Sequence, residues 1–448
     1  MRNTNNARLF ILLSCLASVV SPRATHAQTE QPAEDRKVNV VLIMMDDMGW
    51  ADLGSYGAQD GLTPHIDRLA QEGVLLTNNY SNAATCTPTR AALISGRYQQ
   101  RFGLEAPVGR RPPEGAARGL PVTGMSLPAL LKANGYVTGL TGKWHLGFEP
   151  AFSPNAHGFD EFFGTMGGAV DYYTHRGRGG EPDLWENETP IESPGYLTDQ
   201  ITDRSVSFIN RHATDPFFIE VSYTAVHYPF QPPDRSPDAV SSGFWQGPDS
   251  EPPPTHEDYA RMLQRADEGV GEILAALDRA GIVDNTLVIF TNDNGGEWLS
   301  QQGPLFHRKG SVWEGGIRVP LILRWPDHLP ADTTSSQVAI TMDLTASILA
   351  ATGTAVPAAL ELEGIDLLPI LQGETPLVER QLFWRVPRRD QMAVRLGDWK
   401  LVSDGGELLL FSLPTDPGER RDLAAEHPDV VRRAVELLEA WEQEVAIP

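Results

Sequence analysis

Four apolar runs constrain this chain most, because each one ends at a cluster of polar side chains. The first is Val38-Asn39-Val40-Val41-Leu42-Ile43-Met44-Met45, which stops at Asp46-Asp47. Its length and near-continuous apolarity predict a strand buried on both faces, as in a parallel sheet. Tyr136 to Leu140 runs into Gly142-Lys143-Trp144-His145. Pro216 to Tyr223 delivers His227 and Pro229, and Asn285 to Phe290 ends at Thr291-Asn292-Asp293-Asn294. In open α/β sheets, ligands gather at the carboxyl ends of strands, so these four exits are candidate site positions. Two adjacent carboxylates such as Asp46 and Asp47 repel each other unless a cation neutralises them.

Helical patterns separate the runs. Thr63-Pro64 opens one, with Ile66, Leu69 and Ala70 inward. Ser126 caps another, with Leu127, Leu130 and Leu131 inward, and a third carries Ile273, Leu274 and Leu277 up to Gly281. This alternation from 38 to about 350 predicts an α/β fold: a large, mostly parallel sheet sandwiched by helices. The ending differs. Met392 to Leu401 and Glu407 to Leu413 read as short strands around Gly397-Asp398 and Gly405-Gly406 turns. Pro428 to Glu442 reads as an amphipathic helix with Val431, Val435, Leu438 and Trp441 on one stripe. The expected division is a large domain over 28–365 and a small C-terminal α+β subdomain over 366–448. Residues 165–215 read as less regular, either a specificity loop or a solvated surface loop.

Residues 1–27 have the pattern of a secretory signal: Arg2 and Arg8, an apolar run from Leu9 to Val20, then Thr25-His26-Ala27. That run is too short for a permanent span, and no other stretch offers one. The expected compartment is therefore periplasmic or secreted. Cleavage after Ala27 would remove Cys15 and leave Cys86 as the one cysteine, with no intrachain disulfide possible. A single thiol in an oxidising compartment needs a chemical reason. The formal charge is −23, which argues against nucleic acid as a partner. The removed segment carries three arginines and no acid, so the mature chain stands at about −26.

Cys86 lies in Cys86-Thr87-Pro88-Thr89-Arg90, at the mouth of a predicted helix through Ala91-Ala92-Leu93-Ile94. This Cys-x-Pro-x-Arg frame resembles the signature of the type I sulfatases, in the alkaline phosphatase-like superfamily. So do Gly142-Lys143-Trp144-His145, His157-Gly158-Phe159-Asp160 and the tail pieces Gly397-Asp398-Trp399-Lys400 and Asp416-Pro417-Gly418-Glu419, in the same order. Thr89 departs from the serine most common in that motif but keeps the hydroxyl. The resemblance implies a sulfuric ester hydrolase whose cysteine is converted to formylglycine by a formylglycine-generating enzyme. Asp46, Asp47, Asp293 and Asn294, with residue 86, would hold one divalent cation. Four hard oxygen donors favour calcium, then magnesium, over zinc. Arg90 would hold the nucleophile and the carboxylates, and Lys143 and Lys309 the sulfate oxygens. His227 would protonate the leaving oxygen, and His145 would take the proton whose loss expels sulfate. The implied substrate is a sulfated polysaccharide or oligosaccharide, with His175, Arg176 and Arg178 as candidate contacts. His157 and His307 stand between a structural role and a substrate contact. Two alternatives stay open: a phosphomonoester or phosphonate hydrolase of the same superfamily, and a non-catalytic binder of sulfated glycans. Oligomeric state is not readable.

Overall fold

The computed structural model describes residues 36–234 and 252–446, with Met1, Pro248 and Asp249. Apart from Met1, the predicted signal segment lies outside the described residues. Ten strands form the main sheet: β1 (Asn39–Met45), β2 (Val74–Tyr80), β3 (Val137–Lys143), β4 (Glu161–Thr165), β5 (Trp185–Glu186), β6 (Thr189–Pro190), β7 (Phe217–Ser222), β8 (Thr286–Asn292), β9 (Leu321–Arg324) and β10 (Thr333–Ile340). Their order is β10-β2-β9-β8-β1-β7-β3-β4-β5-β6. Strands β8, β1, β7, β3 and β4 run parallel. Strand β9 is antiparallel to both neighbours, β2 and β8.

Strand β1 lies at the centre for the reason its sequence suggests. Val40, Leu42 and Met44 enter one apolar core, and Val41, Ile43 and Met45 the other. A period of two sends successive side chains to opposite faces, so only an apolar run can be covered on both sides. One core takes side chains from α2 (Cys86–Ser95), α3 (Leu127–Ala133), α7 (Thr341–Ala351) and α8 (Leu368–Leu371). The other takes them from α1 (Pro64–Gln71), α4 (Leu197–His212) and α5 (His256–Ala280). A one-turn helix, α6 (Glu314–Ile317), precedes β9.

Helix α4 corrects the expectation of an irregular segment over 165–215. Its inner face is Leu197, Ile201, Ser205, Phe208 and Ile209, all buried. Ser205 breaks the apolar spacing, but its hydroxyl donates to the Ile201 carbonyl at 2.7 Å, so its polar group is satisfied inside the core. A second sheet, ordered β11 (Gln381–Val386), β12 (Gln391–Leu396), β13 (Trp399–Asp404) and β14 (Glu407–Ser412), is antiparallel throughout. Strand β11 was not anticipated. Helix α9 (Pro428–Glu444) covers this sheet through Ala434, Leu438 and Trp441.

Candidate active site

The neighbouring strands β3, β7, β1 and β8 all run the same way, so their carboxyl ends open at one place. At the end of β1 the backbone turns left-handed at Asp47, with φ 62°. Strain of this kind in a non-glycine residue persists where the surroundings hold it, and it aims Asp46 and Asp47 into one cluster. Strand β8 brings Asp293 and Asn294 alongside, with the Asp293 N–H donating to the Met45 carbonyl at 3.2 Å. Asp46, Asp47, Asp293 and Asn294 are all fully buried.

Helix α2 supplies Cys86 in its first turn. All ten of its residues are buried, and it ends at Gly96 with φ 68°. The left-handed φ favours glycine there, and a Cβ would press on the Leu362 side chain, 2.2 Å from its Cδ1. Cys86 Sγ lies 3.6 Å from Asp46 Oδ1 and 3.5 Å from Lys309 Nζ. The Thr89 hydroxyl bonds Ala83 N and Ala83 O, each at 3.1 Å, and so fastens the loop leading into Cys86. Burial pushes the Cys86 thiol up to about 12 against the pull of Lys143 and Lys309, so the unmodified residue is a poor nucleophile at neutral pH.

Arg90 follows Cys86 by one helical turn, on the same face. Its Nε and Nη2 reach Asp293 Oδ2 at 3.0 and 2.9 Å, and its Nη1 donates to the Lys143 carbonyl at 3.0 Å. Ser222, at the end of β7, bonds the same carbonyl at 2.8 Å and also takes a bond from Arg90. One guanidinium thus ties β8, β3 and β7 together. Lys143 donates to Asp46 Oδ2, and Lys309 reaches both Asp47 oxygens at 2.6 and 2.7 Å. The Lys309 loop is held by bonds from Lys309 N to Gly296 O and from Gly310 N to Ala84 O, at 3.1 and 2.7 Å. Burial alone would raise Asp47, but Lys309, then His227 and Lys143, hold it below the usual carboxylate range.

His227 Nδ1 lies 2.6 Å from the Tyr228 carbonyl, which can only accept, so Nδ1 carries hydrogen and Nε2 is turned to Asp47 Oδ2 at 3.5 Å. The Tyr172 hydroxyl braces this loop at the Thr224 and His227 carbonyls, 2.8 and 2.9 Å away. His145 does not simply continue strand β3. Alternation predicts a direction shared with Lys143, but the chain turns at His145 with φ 61°. The Thr87 hydroxyl holds its carbonyl at 2.8 Å, and its buried Nδ1 has no hydrogen-bond partner among the described residues. Burial, then Lys143 and Arg90, lower His145 well below its ordinary value, which keeps the ring neutral and able to accept a proton.

The donor set fits a hard divalent cation. Asp293 Oδ1 and Asn294 Oδ1 are buried and lack a hydrogen-bond donor among the described residues. Burial, then Asp293, raises Asp46 to about 8 despite Lys143. A dication would both ligate the orphaned oxygens and neutralise the crowded carboxylates. Ligand atoms of Asp46, Asp47, Cys86 and His227 all lie within 4.8 Å of one another, a group able to hold a metal ion.

The remaining sequence candidates make no hydrogen bond or ion pair with this cluster among the described residues. His175 is buried, with φ 53°, and Arg176 folds back onto the Gly180 carbonyl at 2.8 Å. Arg176 and Arg178 are exposed and form no ion pair among the described residues. His157 packs on Trp144, with Nε2 3.1 Å from the Leu120 carbonyl. Ser222, Thr87 and Tyr172 were missed. Ser222 ends a hydrophobic run, Thr87 lies in the first turn of α2 and Tyr172 in a turn of an irregular segment, and only the packing partner of each reveals its role.

The sulfatase family profile matches residues 38–354. This chain belongs to the sulfatase family. It is a sulfuric ester hydrolase, and its family works with formylglycine and a divalent metal. A second profile, the C-terminal part of N-sulphoglucosamine sulphohydrolase, matches residues 304–443. Human N-acetylgalactosamine-6-sulfatase is 32% identical over 469 aligned positions, covering 92% of this sulfatase and 86% of that one. Mouse steryl-sulfatase is 29% identical, covering 90% and 81%. The solved structure of Ps i-CgsB matches with a TM-score of 0.82 at 30% identity, covering 91% of this chain and 93% of that one. The same protein has been solved in complex with k-i-k-neocarrahexaose. Among the described residues of this sulfatase, no helix is long and apolar enough to cross a membrane.

Proposed function

We propose that this sulfatase is exported and removes sulfate from a sulfated polysaccharide or oligosaccharide, using a formylglycine made from Cys86. The observation that carries this reading is the position of Cys86 Sγ, 3.6 Å from an Asp46 oxygen and 3.5 Å from Lys309 Nζ, where four strand ends meet. Carbohydrate is favoured because one structural neighbour was solved with a carrageenan oligosaccharide and one curated relative is named for a sulfated amino sugar.

As an aldehyde hydrate, residue 86 would offer one hydroxyl to attack sulfur and a second whose deprotonation expels sulfate, an exit that serine lacks. Asp46, Asp47, Asp293 and Asn294 would hold a calcium ion beside residue 86. That ion would supply Lewis-acid polarisation of a sulfate oxygen. Lys143 and Lys309 are pre-placed charge for the remaining sulfate oxygens in a buried site, where such charge counts most. Arg90 orients the strand ends and residue 86. His227 would serve the departing sugar oxygen as its imidazolium, with Nδ1–H fixed on the Tyr228 carbonyl and the added Nε2 proton favoured by Asp47 against burial and Lys309, which otherwise keep the ring neutral. Neutral His145 takes the proton from the second hydroxyl. Residues 28–365 form the catalytic domain in this reading, and 366–448 form the subdomain that backs it.

The test is the mass of the tryptic peptide around residue 86 in protein from the native host, with turnover of 4-nitrophenyl sulfate measured on the same preparation. The aldehyde mass and steady turnover are expected. An unmodified thiol in an active preparation would sink the reading.

A further inference from the structure

Lys309 is the most exposed side chain of the cationic cluster, at 13%, so the site opens over it. The turn joining β11 to β12 lies beside that opening. A Cβ added to Gly310 would stand 3.6 Å from Arg389 Nη2. Arg388 lines a cleft of about 140 Å3 whose other wall includes Ala84 and Thr85, the two residues before Cys86. Two independent contacts therefore bring this turn against both flanks of the Cys86–Lys309 pair.

The charge of the turn is unspent. Arg388 and Arg389 are exposed and make no hydrogen bond or ion pair among the described residues. The acid lining the cleft, Glu105, is already taken by Arg385, at 2.7 and 2.8 Å. Arg308 adds a cation on the same side, paired only loosely with Glu297 at 3.5 Å. A chain of net charge −23 repels polyanions at long range, so any grip on one has to be local. A guanidinium fork matches sulfate and carboxylate alike.

We propose that Arg388 and Arg389 form a subsite for a second anionic group of the substrate, a sulfate or a carboxylate on the saccharide that carries the scissile sulfate. This rests on the reading of the site as one for sulfated saccharides. The small sheet thereby selects for substrates with more than one charge, while the strand ends perform the chemistry.

The experiment measures competition against 4-nitrophenyl sulfate turnover by the formylglycine-containing enzyme. Three size-matched competitors are used: an oligosaccharide with several sulfates, one with a single sulfate plus uronate carboxylates, and a neutral one. R388A/R389A should turn over 4-nitrophenyl sulfate within about twofold of wild type, and thermal melting should report an intact fold. At least one anionic competitor should inhibit wild type and lose tenfold or more in potency against the variant, with R388K/R389K recovering part of it. Which competitor loses potency tells sulfate from carboxylate. Equal inhibition of wild type and variant, or no inhibition of wild type by either anionic competitor, overturns the subsite and leaves the sulfatase reading standing. No turnover of 4-nitrophenyl sulfate by wild type removes the reading on which the subsite rests.

Discussion

Lys400 and Glu314 form an ion pair 2.9 Å long with both side chains fully buried, and it joins the small sheet to the segment that carries Lys309. Lys400 also meets Glu419 at 2.9 Å, and Glu419 accepts from the Glu314 N–H at 2.6 Å. The Tyr80 hydroxyl donates to Glu314 at 2.8 Å. The tail pieces that resemble the family, Gly397 to Lys400 and Asp416 to Glu419, thus meet inside the protein as a structural lock.

Lys400→Met would leave Glu314 and Glu419 buried beside each other without their ammonium. Breaking a buried pair from one side costs about 3–5 kcal/mol. Urea unfolding should report a loss of that size, and 4-nitrophenyl sulfate turnover should fall too, since α6 anchors the Lys309 loop. A variant as stable as wild type would show that the lock is redundant.

Gly168 packs against His145: a Cβ there would stand 2.2 Å from His145 Cε1. Gly168→Ala should displace the imidazole and lower kcat at least tenfold, about 1.4 kcal/mol of barrier, with KM little changed. Unchanged kcat would argue against His145 as the proton acceptor.

Chelation should lower activity and melting temperature together. A cation held 100-fold above its Kd stabilises by about 2.7 kcal/mol, and calcium should restore both more fully than magnesium. A melting curve that ignores EGTA would count against the site at Asp46, Asp47, Asp293 and Asn294.

Glu220 lies within β7, buried, with Oε2 unpartnered among the described residues. Burial, partly offset by Arg90, pushes it up to about 7 from an ordinary 4.5. The folded state then binds this proton more tightly than the unfolded chain. Stability is lost as pH rises from about 4.5 to about 7, by roughly 3 kcal/mol at 1.36 per unit. Glu220→Gln should flatten that part of the profile in urea titrations. An identical pH slope in the variant would place the titration elsewhere.

Cys86→Ser should fold normally and show no multiple turnover, because a serine ester has no second hydroxyl to release sulfate. Sustained hydrolysis by the pure variant would defeat the formylglycine assignment.

The sequence alone determined the sheet's centre and most of the chemical cluster. A strand covered on both faces has to be a largely apolar run such as Val38 to Met45, and most of the polar residues such strands carry gather where they exit, as at Asp46-Asp47 and Asp293-Asn294. Tertiary structure decided what local pattern cannot encode. The antiparallel β9 depends on which strand it meets. The inner face of α4 was hidden because Ser205 takes an apolar position by bonding its own helix. The approach of Arg389 to Gly310 joins residues far apart in the chain, and no spacing rule reaches across folding of that kind. Glu220 read as one residue of a buried strand, and only its surroundings make it a titrating group. Local periodicity reports which face of an element is covered, whereas contacts between distant segments are settled by how the covered faces pack.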